Sequence, residues 1–298
     1  MNQLVDQLES ELFVSQLVEW AAENPAILGM LLTSTRAVAG AWVDRLSDYD
    51  VILVVDTAEP WVHDRTWITD FGEVLVAYWD ALLPDPEYGV LQAGNVVQYQ
   101  SGLKIDWSLW PAELIERICA TPELPAELDA GYRILFDRHG LLSKLPPASG
   151  RAYRPALPEA AAYQQRVNDF LTDPPYVAKC LWRGDLLPAR WCLDQDMKQT
   201  YLVRMLEWSI GVAEGWQRPV GYLGKGLQHR LPTEQWHALQ QTYVGADIGE
   251  NWQALYTTMA LFRQVAEQVG QALGYHYPAE LHDRVVAYVH EIQQLPPE

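Results

Sequence analysis

The amino-acid sequence predicts an α+β fold, with a mixed β-sheet and helices in the first half and a helical bundle in the second. Short apolar runs of strand length recur through the first 110 residues. A segment that contains four prolines, Leu145–Pro158, then interrupts this pattern. From Trp252 to Val269, apolar residues recur every three or four positions, which is the spacing of a helix. We therefore predict domains at residues 1–145 and 146–298.

The predicted elements of the first half begin with an amphipathic helix over Asn2–Ala22, which ends before Pro25. A Trp-rich segment, Trp61–Phe71, is predicted to be helical, and Pro111 is predicted to start a further helix. The Ser101-Gly102 pair is typical of a hairpin turn. About five strands are predicted, at Ile27–Leu32, Val51–Val55, Glu73–Tyr78, Val96–Tyr99 and Leu103–Trp110. In the second half, Tyr201–Ile210 is predicted to be helical.

The charge balance limits the partners of the chain. It has 21 Lys and Arg against 39 Asp and Glu, a formal net charge of −18. A surplus of this sign repels phosphate backbones and anionic membranes, so we expect neither a nucleic acid nor a membrane as the main partner. It attracts cations, so we expect a cationic small molecule or a metal-bound substrate.

Cysteine usage and hydropathy indicate a cytoplasmic protein. Cys119, Cys180 and Cys192 are far apart and form no C-x-x-C pair, which favours neither a disulfide framework nor a thiolate zinc site. The first twelve residues carry three acidic and no basic side chains, unlike a signal peptide. No apolar run approaches the roughly 20 residues that a membrane span needs. The oligomeric state is not predicted.

Two aspartates precede the second predicted strand. Residues two apart on an extended backbone project from one face, so Asp48 and Asp50 are expected to present their carboxylates side by side. Such a pair suits Mg²⁺, which prefers carboxylate oxygens together with substrate phosphates. The alternative interpretation is a turn or a cap, which is where paired aspartates usually occur.

Two further segments support a phosphate and metal site. Thr33 to Arg36 place small hydroxyl residues and an arginine after the first strand, where hydroxyl and N–H groups can meet a phosphate. Asp106 lies within an apolar strand, where an unpaired carboxylate is costly. Its partner is expected to be a metal or a substrate hydroxyl, or alternatively a neighbouring Lys or Arg.

Together these motifs resemble the aminoglycoside nucleotidyltransferases, and most closely the aminoglycoside 6-adenylyltransferases that act on streptomycin. That family has Gly-Ser-Arg after the first strand, Asp-Tyr-Asp at the second and Lys-Ile-Asp on a later strand. The matching segments here are Ser34–Arg36, Asp48–Asp50 and Lys104–Asp106. The resemblance continues through most of the second half, at Pro175–Lys179, Arg204, Met205, Trp208, Val220, Gly221, Lys225, Thr242 and Tyr243.

The resemblance implies a nucleotidyltransferase-type sheet domain followed by a helical substrate-binding domain. It also implies transfer of AMP from ATP to a hydroxyl of an aminoglycoside, with release of pyrophosphate. Asp48, Asp50 and Asp106 are then the catalytic carboxylates and the Mg²⁺ ligands, with Asp106 acting either as ligand or as general base. The residues implied to contact ATP are Ser34, Thr35, Arg36, Ser47, Lys179, Lys225 and Tyr243.

One departure from the family opens an alternative. The motif glycine is replaced by Ser34, while Thr35 keeps the hydroxyl. A Cβ at this position can obstruct the approach of a phosphate to the backbone. Either Ser34 adopts a compatible conformation, or the chain is a non-catalytic or redirected homologue that binds nucleotide or drug. A redirected enzyme would modify a protein, an RNA end or another antibiotic.

Candidate drug-binding residues lie mainly in the second half. Asp169, Tyr176 and Asp185 are predicted to bind guanidinium or ammonium groups of the drug, and Trp107 to flank it. For Lys179, Lys225 and the aspartates, the alternative is a solvated helix face or a helix cap. Asp173, which precedes Pro174, is a good N-cap candidate.

Overall fold

The chain forms two compact units, Met1–Ala152 and Tyr153–Glu298. In the computed structural model, the described residues are 2–38, 43–151, 154–218, 220 and 222–296. The α+β prediction is confirmed, because a mixed sheet with helices is followed by a helical region. Among the described helices, none is long and apolar enough to cross a membrane.

The first unit is built on one seven-stranded sheet. Six of its strands lie in the order β3-β5-β6-β2-β1-β7, and the short β4 pairs with β5. Strand β2 runs parallel to β6, and the other neighbours are antiparallel. The strands are β1 (Ile27–Thr33), β2 (Tyr49–Val55), β3 (Val74–Trp79), β4 (Leu83–Pro84), β5 (Leu91–Tyr99), β6 (Lys104–Pro111) and β7 (Tyr132–Asp137).

All five predicted strands are present, and the predicted hairpin joins β5 to β6 through Gly102 at φ 91°. Strand β7 is not among the predicted strands. It is an edge strand beside β1, and its side chains are partly exposed rather than alternately buried. A strand at the edge of a sheet tolerates partly exposed side chains on both faces. The alternation of apolar and polar residues that predicts a strand is therefore weak in β7.

Helices cover both faces of the sheet. Helix α1 (Asn2–Glu23) packs on one face with a large aromatic cluster, and α3 (Ala112–Cys119) packs on the other. The predicted helix over Trp61–Phe71 is not one helix. Helix α2 (Glu59–His63) ends at His63, and a separate 3₁₀ turn (Thr66–Phe71) follows it. The remaining helical pieces are α4 (Ala126–Asp129) and 3₁₀ turns at Ser34–Arg36 and Leu142–Lys144.

The second unit is helical and has its own apolar core. Its helices are α5 (Ala160–Thr172), α6 (Pro174–Arg183), α7 (Leu186–Trp191), a π-helix (Cys192–Leu202), α8 (Val203–Glu214), α9 (Thr233–Gln241), α10 (Ile248–Leu273) and α11 (Ala279–Gln293). Short 3₁₀ turns occupy Tyr222–Gly224 and Leu227–His229. The predicted helix at Tyr201–Ile210 therefore begins inside the π-helix and continues into α8.

Candidate active site

The turn after β1 keeps the backbone shape that glycine would favour. Ser34 has φ 58°, in the left-handed region that L-residues other than glycine rarely adopt. Its side chain is exposed and hydrogen-bonds to the carboxylate of Asp50. Ser34 therefore has the backbone conformation that glycine would supply, and its predicted compatibility with a bound phosphate stays a prediction.

Arg36 organises the segment that leads into β2. Its Nη2 donates to the Ser47 carbonyl oxygen at 2.6 Å, and its Nε donates to the Asp48 carbonyl oxygen at 2.9 Å. Nη1 donates to Ser10 Oγ at 2.8 Å, and the guanidinium lies 3.9 Å from the centroid of the Tyr49 ring. Most of its donors are thus engaged within the protein, and the predicted contact of Arg36 with ATP stays a prediction.

Ser47 is similarly engaged. Its hydroxyl donates to Asp44 Oδ1 at 3.1 Å and accepts from the Asp44 backbone N–H at 3.0 Å. These bonds close a short turn directly before Asp48. The predicted role of the Ser47 hydroxyl in binding triphosphate would require it to leave this turn or to share a lone pair.

The three predicted carboxylates come together at the start of two neighbouring strands. Strands β2 and β6 are parallel, and their register places Asp50 directly beside Asp106. Lys104 joins the third carboxylate to this pair: its Nζ lies 2.5 Å from Asp48 Oδ2 and 2.9 Å from Asp106 Oδ2. The expected alternative for Asp106, an ion pair with a neighbouring lysine, is therefore present.

This concentration of like charge changes proton affinities. Burial, followed by the charge of Asp106, raises the pKa of Asp50 above its ordinary value, and the hydrogen bond from Ser34 partly opposes this. For Lys104, burial acts to lower the pKa. The hydrogen bonds and charges of Asp48 and Asp106 outweigh it, so the pKa is raised and the ammonium form is favoured.

The donor set fits a hard divalent cation. Asp50 and Asp106 are cross-strand neighbours, and Asp48 and Asp106 share Lys104, although the ligand oxygens of the three do not all lie within 4.8 Å of one another. Oδ1 of Asp106 is buried with no hydrogen-bond partner among the described residues. A buried, unpaired carboxylate oxygen is costly unless a cation or donor binds to it. Asp48, Asp50 and Asp106 are thus the residues that would hold Mg²⁺, in competition with the single ammonium of Lys104.

A cavity of about 610 Å³ lies further along the same sheet face. Ser108 and Trp110 line it and follow Asp106 on β6 at two-residue steps, so their side chains leave the strand on the same side. Its described lining includes three carboxylates, of Asp80, Asp85 and Glu127, and neither Lys nor Arg. This acidic, partly aromatic cavity suits a cationic ligand.

Comparison with known proteins shows the family of the chain. The family model described as streptomycin adenylyltransferase matches residues 8–292. The chain belongs to this family. An aminoglycoside 6-adenylyltransferase from Campylobacter jejuni is 27% identical over 88% of this chain and 88% of its own length. The Bacillus subtilis enzyme of the same name is 26% identical over 88% and 90%, and the Staphylococcus aureus one 23% over 87% and 90%.

Membership of the streptomycin adenylyltransferase family establishes that the chain is an enzyme of the adenylyltransferase type. The motifs that carry the resemblance occur in both units, and the three acidic or basic motifs of the first unit lie at Ser34–Arg36, Asp48–Asp50 and Lys104–Asp106. In the second unit, the family position Gly221 lies outside the described residues.

The prediction for one drug-binding residue, Trp107, is wrong. Trp107 is 2% exposed and packs in an aromatic cluster with Trp20, Trp67 and Phe71. Adjacent residues on a strand point to opposite faces, so Trp107 faces the core while Asp106 faces the site. The prediction that Trp107 flanks the drug is therefore corrected to a core role.

The predicted ATP-binding residues of the second unit are at its surface. Lys179 is exposed, with its Nζ 5.8 Å from the centroid of the Tyr288 ring, and Lys225 is exposed as well. Tyr243 is half exposed and its ring lies 4.4 Å from the Nζ of Lys198. Thr35, in the first unit, is partly buried. Contacts of all four with ATP stay predictions.

The predicted drug-binding residues do not form one group. Asp169 is partly buried and accepts a hydrogen bond from Gln165, whereas Asp185 and Tyr176 are exposed. Asp173 does not cap α6, because its side chain makes no capping hydrogen bond. The structure instead brings the Asp173 carboxylate near Cys192 and Asp196.

A buried lysine of the second unit was missed by sequence reasoning. Lys198 is fully buried, and its Nζ donates to Asp194 Oδ1 and to the Thr242 carbonyl oxygen at 2.6 and 2.5 Å. Arg190 donates to the other oxygen of Asp194 at 2.7 Å. Arg190, Asp194 and Lys198 are spaced four residues apart, and this spacing was the sequence feature that could have predicted their ion pairs. The bond from Lys198 to Thr242 supports the backbone next to Tyr243.

Proposed function

We propose that the protein transfers AMP from ATP to a hydroxyl of an aminoglycoside, with streptomycin as the favoured acceptor, and that this inactivates the antibiotic. The observation that carries the proposal is the register of Asp50 with Asp106, with Asp48 joined to the pair through Lys104. Membership of the streptomycin adenylyltransferase family supports the choice of nucleotide and acceptor.

Three carboxylates on two adjacent strands are suited to holding Mg²⁺ against the ATP phosphates. When bound, Mg²⁺ would neutralise charge on the phosphates and stabilise the oxygens at the reacting phosphorus. Lys104 would then exchange its contacts with Asp48 and Asp106 for others, because one carboxylate oxygen cannot fully serve two cations. Asp48 directly precedes β2 and Asp50 is its second residue, so the strand backbone holds the two close together.

The reaction is an in-line displacement. The drug hydroxyl oxygen attacks the α-phosphorus of ATP, a new P–O bond forms, and the bond to the bridging oxygen breaks as pyrophosphate leaves. The hydroxyl proton passes to a carboxylate, for which we propose Asp106; where Asp106 acts as this base, Asp48 and Asp50 are the two Mg²⁺ ligands. Holding both reactants in line accounts for much of the acceleration.

The charge distribution supports a cationic acceptor. The cavity beyond Asp106 has three carboxylates in its described lining, and the whole chain carries −18. Both features would attract a polycationic drug and raise its local concentration. ATP is an anion, so its binding depends on Mg²⁺ and on the basic residues that the family resemblance indicates.

Replacement of the motif glycine does not favour a non-catalytic role. Ser34 has the left-handed φ that glycine would supply, and its hydroxyl contacts Asp50 rather than disrupting it. The three carboxylates are all present. Catalysis is thus the function that this geometry supports best.

The experiment is a pyrophosphate-release assay with ATP, Mg²⁺ and a panel of aminoglycosides. We expect release with streptomycin, and loss of release in Asp50→Asn, because this change removes a carboxylate while leaving the apolar core of β2 intact. Asp56→Asn, just beyond the other end of β2, is the matched control and should retain activity. Absence of turnover with every aminoglycoside, together with measurable ATP binding, would overturn the proposal.

A further inference from the structure

A second group of potential metal ligands belongs to the helical unit. Asp173 immediately precedes α6, and Cys192 and Asp196 lie four residues apart on the π-helix. One ligand atom of each residue lies within 4.8 Å of the other two. Positions four apart share one helix face, so the π-helix directs the thiol and the carboxylate towards Asp173.

One oxygen of the Asp173 carboxylate lacks a compensating partner. Its Oδ2 is buried and accepts no hydrogen bond from any described residue, and the side chain does not cap α6. Burial raises the pKa of Asp173 to about 6, the charges of Asp196 and Asp169 add to the effect, and the hydrogen bond from Cys192 partly opposes it. Such an arrangement is unfavourable for an ionised carboxylate unless a cation joins it.

Arg166, on α5, makes its described contacts with other groups. Arg166 donates to the Thr200 carbonyl oxygen at 3.0 Å, and its guanidinium faces the rings of Tyr201 and Trp208. Among the described residues, no Lys or Arg forms an ion pair with Asp173 or Asp196. The cluster therefore holds two carboxylates without a protein cation.

Cys192 distinguishes this cluster from an ordinary acidic surface. The residue is 3% exposed, and its thiol hydrogen-bonds to Asp173 inside the cluster. Burial raises the pKa of the thiol to about 12, so without a cation it is neutral and unreactive. Borderline-soft divalent metals bind thiolates directly and displace the thiol proton.

We propose that Asp173, Cys192 and Asp196 form a binding site for a Zn²⁺-type divalent metal, with one sulfur and two carboxylate oxygens as ligands. In a tetrahedral Zn²⁺ site, the three protein ligands leave a fourth position for water. Binding releases the thiol proton to solvent and involves no change of oxidation state. A thiolate ligand selects against Mg²⁺, which prefers oxygen.

The metal would link the start of α6 to the first turn of the π-helix. These segments are separated in sequence by 18 residues between Asp173 and Cys192, so the linkage closes a loop and stabilises the folded state. No C-x-x-C or His spacing marks such a site, which is why the cysteines gave no zinc signal in the sequence. The inference is independent of the proposed catalytic function.

The experiment is a Co²⁺ titration of the full chain after treatment with a chelator, with excess Mg²⁺ present to occupy the carboxylates of the first unit. Cobalt bound to a thiolate gives a charge-transfer absorption band, which carboxylates alone do not give. We expect the band to saturate at one equivalent and to disappear when Zn²⁺ is added. Zn²⁺ is also expected to raise the Tm.

Cys180 provides the matched control, because it is a buried cysteine of α6 that lies near Cys192 but outside the cluster. We expect Cys180→Ser to keep the band and Cys192→Ser to lose both the band and the Zn²⁺-dependent rise in Tm. Asp196→Asn should weaken metal affinity at least tenfold. A band that persists in Cys192→Ser, or that is absent from the parent chain, would overturn the proposal.

A measurement on the unaltered chain covers the case in which Cys192→Ser does not fold. X-ray absorption at the zinc edge should show one sulfur at about 2.3 Å, with oxygen ligands completing the set. A zinc environment without sulfur would contradict the assignment. If the carboxylates instead bind a cationic group of the drug, Asp196→Asn would weaken streptomycin binding and no variant would show a cobalt band. This result would also contradict the proposed metal site.

Discussion

Replacement of Arg36 tests whether this side chain positions Asp48 or binds phosphate. The guanidinium donates to the carbonyl oxygens of Ser47 and Asp48, the residues that lead into β2, and also lies over the Tyr49 ring. Lysine preserves the charge at this position, but its single ammonium cannot reproduce the planar fork that serves two carbonyls and a ring. Arg36→Lys and Arg36→Ala therefore separate charge from geometry.

The magnitude follows from the contacts. A hydrogen bond from a charged donor contributes about 1.5–3 kcal/mol, and a cation–π contact at a partly exposed site about 0.5–1 kcal/mol. The contacts overlap and are not additive, so we expect Arg36→Ala to lower the free energy of unfolding by about 2–3 kcal/mol. We expect about half of this loss for Arg36→Lys.

The effect on activity should fall on kcat. A displacement of about 1 Å at a reacting centre can cost about 100-fold in rate, so we expect kcat to fall about 10–100-fold in both variants. The KM for ATP should change less than about threefold if Arg36 does not contact the triphosphate. Steady-state kinetics with varied ATP and saturating streptomycin, together with urea unfolding, measure both quantities.

Arg45→Ala is the matched control, because Arg45 is an exposed arginine of the same loop. It should leave stability within about 0.5 kcal/mol of the parent. An unchanged kcat with a large rise in KM for ATP in Arg36→Lys would refute the positioning role and assign Arg36 to the phosphates. Unchanged stability in Arg36→Ala would refute the contact energies above.

Three further predictions address single residues. Ser34→Gly should be more stable than Ser34→Ala by about 1 kcal/mol, because of the two only glycine adopts a backbone φ of 58° without strain. Urea unfolding measures this difference, and equal stabilities would show that this φ carries no strain. The Lys104 ammonium lies between the carboxylates of Asp48 and Asp106 and offsets their repulsion. The Lys104→Gln variant should therefore be about 1 kcal/mol less stable than the parent without metal and equally stable with Mg²⁺. Calorimetry in chelator and in Mg²⁺ checks this. His282 is buried and hydrogen-bonded to Tyr277, and burial lowers its pKa, so the parent should lose stability as the pH falls below about 6.5. His282→Gln should show a shallower loss, measured as Tm between pH 7.5 and 5, and an identical slope would contradict this assignment.

The strands of the sheet and the pairing of Asp48 with Asp50 follow well from local sequence rules. The β-branched run after Asp50 predicts a buried strand, and the aspartates at its start are placed by the two-residue period alone. The parallel pairing that puts Asp106 beside Asp50 joins segments far apart in sequence. Only the family resemblance predicted that these two residues act together.

Other features depend on tertiary contacts that no local pattern encodes. Trp107 could have been assigned to the core, since alternation places it opposite Asp106, but its partner Trp20 comes from α1. Arg36 looks like a phosphate ligand by its position after β1, whereas its contacts depend on how the loop before Asp48 folds back. Cys192 meets Asp173 only through packing of the π-helix.

Mass spectrometry of streptomycin after incubation with the protein, ATP and Mg²⁺ tests the central claim most directly. We predict that the drug gains the mass of one adenylyl group with the parent chain and stays unmodified with Asp106→Asn at equal protein concentration and intact fold. Unmodified streptomycin with the parent chain, or equal modification by Asp106→Asn, would contradict the assignment of these carboxylates to adenylyl transfer.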